Sequence, residues 1–280
     1  MGRTTQNLPR AFREPKRARA TERATGTSDA IWALASSLTL AAATVLTALV
    51  LIPHTGSQAA AERRIDHEVN TLLAGIPQRE RTLGNPAAPV TLQVFLDLKD
   101  PDSRNWFLTK LPAIIHSYVR TGALKLEYRA YKTNTFKPQT FVKGQTAALA
   151  AGAQDKLWNY IDTFYHEQGN EFISYVTESY LQNIARQVPG LNLAQWRADR
   201  HTGRREEQTT SEDQTARGLG LHVTPSFRIG QTGGKMRNFV GHAIIKYGSQ
   251  HPIALPDVND IGKAIPEVDY QQQAATLQSG

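Results

Sequence analysis

LGNPAAPVTLQVFLDLKDPDS, residues 83–103, is the stretch from which the fold of this chain is read. Its Gly84-Asn85-Pro86 triplet is a turn signature. Behind the turn, 90–96 (VTLQVFL) reads as a strand, with Val90, Leu92, Val94 and Leu96 on one face and Phe95 on the other. A helix then starts where Asp100, Asp102 or Ser103 can cap exposed backbone N–H groups, a contribution of roughly 1 kcal/mol. Apolar spacing through Trp106, Phe107, Leu111, Ile114, Ile115 and Tyr118 carries that helix over 103–119, and Gly122 closes it. Residues 124–131 (LKLEYRAY) alternate as a second strand. A strand, a helix and a strand of these lengths predict a right-handed crossover between parallel neighbours.

Toward the C-terminus a helical block is expected over 141–217, with pieces at 141–151, 154–165, 176–187 and 193–199, then a polar helix over 204–219. Gly152, Gly169, Pro189 and Gly190 punctuate it. Strands at 226–229 and 237–240, turning through Gly230 and Gly233-Gly234, predict an antiparallel hairpin, and 258–265 a last helix. Toward the N-terminus, Ile65, Val69, Leu72 and Leu73 fall at helical spacing inside a linker region, 54–82. The folded domain is expected over 83–265, with an unstructured Gln-rich tail over 266–280.

Residues 83–103 together with Val223-Thr224-Pro225-Ser226-Phe227 resemble the bacterial DsbA-like branch of the thioredoxin superfamily. In that branch a strand runs into a Cys-Pro-x-Cys helix start, and a Thr-Pro turn faces it. LAAGAQDKLWNYIDTFYHEQ, residues 149–168, adds to the resemblance, which covers about 83–265. It implies an α/β thioredoxin-like fold with an inserted helical subdomain. At the tetrad, however, Asp100-Pro101-Asp102-Ser103 stands where two thiols are implied. Thiol–disulfide exchange needs a thiolate attacking sulfur, and the chain contains no cysteine, so the reaction implied by the resemblance is excluded. The first tetrad position sits just ahead of a helix, where unpaired N–H groups and the helix dipole favour an anion; the carboxylate of Asp100 meets the same demand. Asp100, Asp102 and Ser103 therefore read first as a helix cap, and second as a carboxylate-lined cleft for a cation or a peptide amine. Thr224-Pro225 is implied to be the cis-proline turn that offers backbone to an extended peptide, a contact that needs no sulfur.

The chain has 280 residues and a net charge of +7, unevenly placed. Residues 1–30 hold seven Arg/Lys against Glu14, Glu22 and Asp29, a local +4 that leaves only +3 for the remaining 250 residues. That remainder is too small to argue for a nucleic-acid surface. Residues 1–29 are expected to be a basic, disordered tail. Residues 30–53 (AIWALASSLTLAAATVLTALVLIP) are uncharged and apolar on every face, and as a helix would run roughly 36 Å. One transmembrane helix is therefore expected ahead of the domain, with the basic tail cytoplasmic and the domain extracytoplasmic. A cleaved signal peptide fits less well, because both the basic region and the apolar run are long for one. The absence of cysteine suits an oxidising compartment.

Other motifs dissolve on reading. His166-Glu167 would need a second histidine at 170, where Asn170 stands. The eight histidines show no ligand spacing, and no metal or cofactor is expected. Gly218-Leu219-Gly220 precedes a turn instead of a helix, so no nucleotide loop is indicated. Trp106, Trp158, Tyr160, Phe164, Tyr165 and Trp196 read as core, and Arg204-Arg205-Glu206-Glu207 as a solvated face. Two functional readings remain: a redox-inert, membrane-anchored module that binds a protein or peptide, and a non-redox enzyme using Asp100, Asp102 and Ser103. A disulfide oxidoreductase label, the third, contradicts the missing thiols.

Overall fold

The computed structural model describes residues 71–245 and 253–267, with Arg64, Glu68 and Val69 ahead of them. Its strands are β1 (Gln78–Arg79), β2 (Thr82–Leu83), β3 (Val90–Leu96), β4 (Leu124–Ala130), β5 (Ser226–Gln231) and β6 (Met236–Phe239). They lie in one sheet in the order β1-β2-β4-β3-β5-β6. β3 and β4 are parallel, in register from Val90 against Leu124 to Leu96 against Ala130, as the crossover pattern requires. β5 returns antiparallel on the other side of β3 and pairs onward with β6, so the expected hairpin is present. With a neighbour on each side, β3 is buried on both faces except for half-buried Gln93. Val90, Leu92, Val94 and Leu96 enter the main core, whereas Phe95 joins Tyr131, Ala216 and Leu221 in a smaller cluster. The two-faced reading of this strand is thus correct.

The helix expected over 103–119 is broken into α1 (Pro101–Thr109), α2 (Leu111–Ile114) and a π-helical stretch, Ile115–Val119. Pro112 explains the break: it has no N–H to donate, and its ring crowds the carbonyl four residues back. Gly122 closes the segment with φ +79°. The helical insertion comprises α3 (Pro138–Gly152), α4 (Leu157–His166), α5 (Glu178–Gln187), α6 (Leu193–Arg200) and α7 (Gly203–Gly218). α3 starts earlier than expected because Pro138 occupies its first turn, where a missing N–H costs nothing. α4 starts later, after Asp155 takes a left-handed turn at φ +56°. The aromatic residues assigned to the core are all fully buried. Arg205 corrects the solvated-face reading: it is buried and donates to Asp199 at 2.8 Å.

Two further strand pairs are not marked by the sequence pattern. β1 and β2 start the sheet at Gln78, inside the expected linker, and β7 (Ala243–Ile245) pairs with β8 (Ile253–Leu255) as a separate two-stranded sheet. Such short strands hold too few residues to show a period of two. The last helix, α8, covers 258–267 and so runs two residues into the expected tail. Among the described residues no helix is long and apolar enough to cross a membrane. The segments 1–29, 30–53 and 268–280 lie outside the described residues.

Candidate functional site

β3 delivers the chain into a junction built on two buried carboxylates, Asp97 and Asp100. One Asp97 oxygen accepts the backbone N–H groups of Thr133 (3.0 Å), Asn134 (3.0 Å) and Thr135 (2.8 Å). The other accepts the N–H of Lys99 at 3.1 Å and the hydroxyl of Thr135 at 2.5 Å. Asp97 thereby clasps the loop after β4 to the end of β3, satisfying backbone donors that a buried loop would otherwise leave bare. Sequence reasoning passed over it; an acid closing an apolar strand was the available signal.

Asp100 sits at the N-cap of α1 with extended backbone, φ −78° and ψ 122°. Its Oδ2 accepts the N–H of Ser103 (2.8 Å), the hydroxyl of Ser103 (2.6 Å) and the hydroxyl of Thr224 (2.9 Å). Its Oδ1 accepts the N–H of Asp102 at 3.3 Å and the amide of Asn134 at 2.9 Å. Pro101 occupies the first turn, where its fixed φ suits the helix. The capping role read for Asp100 is therefore present, whereas Asp102 and Ser103 supply donors instead of capping. Thr224 and Thr133 also share a short hydroxyl contact, and the Thr224-Pro225 peptide bond is cis. Four of the six tetrad and turn residues (Asp100, Asp102, Ser103 and Thr224) meet through these bonds.

Burial pushes the Asp100 carboxyl up to about 7, against hydrogen bonds from Ser103 and Thr224 that favour the anion and with the nearby charge of Asp97 adding to the rise. Half-buried Asp102 is also pushed up, first by desolvation and then by the carboxylate of Glu171. Asn134 bridges the group by donating to Glu171 at 3.0 Å as well as to Asp100. Beyond the bonds, Asp100, Asp102, Asn134, His222, Val223 and Thr224 line a polar cleft of about 410 Å³. Arg217 stands on the same cleft, tied to Asp213 at 3.1 Å and to the Lys132 carbonyl at 3.0 Å. Phe136, Phe172, Ile173 and Val223 are large apolar side chains left exposed in the loops that follow or flank this junction.

This arrangement has no sulfur to exchange. With five donors on Asp100 and the Ser103 hydroxyl fully buried and committed to it, neither group is presented as a metal ligand or a nucleophile. Among the described residues no cluster of three or more His, Asp or Glu side chains could hold a metal ion. The family model described as "Thioredoxin" matches residues 77–237, more than half of the chain. The chain belongs to the thioredoxin family. Within that family it is similar to "Probable disulfide bond formation protein D" of Bacillus anthracis, 27% identical over 159 residues, covering 54% of this chain and 69% of that protein. Among solved structures, oxidised BdbD from Bacillus subtilis has a TM-score of 0.51 at 15% identity, covering 69% of this chain and 97% of that one. Wolbachia pipientis alpha-DsbA1 has a TM-score of 0.52 at 18% identity, covering 75% and 99%. At such identities the structural likeness establishes the fold alone. The thioredoxin-family chain is thus a DsbA-like member that carries no Cys-x-x-Cys pair.

Proposed function

We propose that this thioredoxin-family chain is a redox-inert module that holds a protein or peptide partner at the cleft beside Thr224, and that the 30–53 segment anchors it in a membrane with the domain outside. The observation carrying this reading is the Asp100 network: Asp100 and Ser103, which the resemblance puts at the thiol positions, bond to one another and to the Thr-Pro turn, which supports a scaffold kept without its chemistry. Supporting it, the loops around the cleft leave Phe136, Phe172 and Val223 exposed, the kind of apolar surface that a bound segment covers. The relatives' names speak of disulfide bond formation, an activity this chain cannot perform with its own thiols because it has none. The non-redox enzyme is the second reading, favoured by the 2.6 Å bond from the Ser103 hydroxyl to Asp100, a pairing used to activate nucleophiles. Full burial of Ser103 argues for the binder instead.

Insulin reduction tests the first reading. The native chain is expected to show none, and the double substitution Asp100→Cys with Ser103→Cys to confer it. Activity in the native chain would overturn the proposal. A photo-crosslinker at Val223 in cells is expected to capture a partner that the same group at exposed Val240 does not.

A further inference from the structure

We propose that the chain carries a second binding site, a cavity of about 390 Å³ beside α1, α2 and α4, built to take an ammonium group on an apolar stem. Its apolar wall is Leu72, Phe107, Leu108 and Pro112, and its polar residues include Glu68, Asp162 and His166. None of these lines the Asp100 cleft.

Asp162 is the reason. It is 1% exposed, and neither carboxylate oxygen has a hydrogen-bond partner. The nearest basic group, His166 Nε2 one helical turn on, stands 3.4 Å from Oδ1, an ion-pair contact that is long for a hydrogen bond. A buried carboxylate without donors costs more than it returns, so folds normally supply donors, as this one does with five at Asp100. Burial pushes the Asp162 carboxyl upward; His166 pulls it down, and the charge of Glu68 pushes it further up. The cavity thus presents two acids against one imidazole, a local deficit of positive charge. Its size falls in the range of about 300–1,000 Å³ usual for small-molecule sites. Both oxygens lie just beneath the cavity wall, each with less than 1 Å² accessible; with a small turn of the Asp162 side chain, an entering ammonium brings three donors to them, and its hydrocarbon stem covers the Leu72, Phe107 and Leu108 wall. Either a small organic amine or a lysine side chain of a partner protein can supply that chemistry.

Calorimetric titration of the full chain in mild detergent separates these cases. The probes are phenethylamine hydrochloride, its neutral counterpart 2-phenylethanol, and N-acetyl-lysine methylamide. At least one ammonium probe is expected to bind saturably and about tenfold more tightly than the alcohol, with Asp162→Asn removing that advantage. Binding of phenethylamine alone assigns a small amine, and binding of the lysine derivative assigns a partner's side chain. Leu108→Trp, which fills the cavity and keeps the carboxylate, is expected to abolish binding too, so the result does not hang on the folding of one variant. Equal affinity for amine and alcohol, retention of binding in a folded Asp162→Asn protein, or no saturable binding of either ammonium probe in the millimolar range would overturn the proposal.

Discussion

The start of α1 and the middle of α4 each bury an aspartate, and they treat it in opposite ways. Asp100 is met by five donors drawn from α1, from the loop after β4 and from the Thr-Pro turn. Asp162 is met by none, with only an imidazole at ion-pair distance. Burial raises both carboxyls, so desolvation is common to the two places and donor supply is what differs. The contrast shows which polarity belongs to the architecture. At the start of α1 the acid is a hub that fastens three segments, together with its neighbour Asp97. In α4 the acid remains unspent.

The largest effect expected from testing this contrast is at Asp97. Asp97→Ala strips the acceptor from three consecutive loop N–H groups, and a loss of about 3–5 kcal/mol is expected in urea unfolding. A loss below about 1 kcal/mol would show that the 133–135 loop holds itself and that the junction is not a clasp.

Asp100 gives the next largest effect, and its sign follows from proton binding. The folded protein keeps the Asp100 proton up to about pH 7, whereas the unfolded chain releases it near 3.8. Between those values the folded state binds more protons, so this group's contribution to stability grows as pH falls from about 7 toward about 4. Relative to Asp100→Asn, the native protein is expected to gain on the order of 2 kcal/mol between about pH 7.5 and about pH 5. Parallel pH profiles for the two proteins would show that the donors, not burial, dominate at this site.

Asp162→Leu should have the smallest effect and the opposite direction. Replacing a donorless buried acid with a hydrocarbon is expected to leave stability at neutral pH unchanged or raised by about 1 kcal/mol, measured by thermal and urea unfolding. A destabilisation as large as that of Asp97→Ala would mean that Asp162 has structural partners, and the distinction between the two regions would fail.

Much of the fold was legible because it rests on periodic segments. The VTLQVFL strand, the alternating strand after Gly122 and the aromatic helices all fell where their apolar spacing put them. The breaks were less legible: Pro112 divides a helix that its apolar spacing joins, and Asp155 delays the start of α4 by a turn conformation that no spacing records. The two-residue strands β1 and β2 left no pattern at all. At the site, Asp100 as a cap and Thr224-Pro225 as its facing turn were readable from local residue types. Asp97, Asn134 and His222 were not, because their roles come from loops brought together across 34 or more residues.

The sequence by itself determined that this member of the family exchanges no disulfides, since that chemistry depends on cysteine thiols, which the chain lacks wherever it folds. It also determined the parallel strand pair and the buried aromatic core, which follow from the spacing of apolar side chains. Only the tertiary structure decided that the acid at the tetrad is fully bonded while another, in α4, is not. Hydrogen-bond satisfaction is a property of groups converging from distant segments, and a carboxylate carries no mark in the sequence of how many donors will reach it.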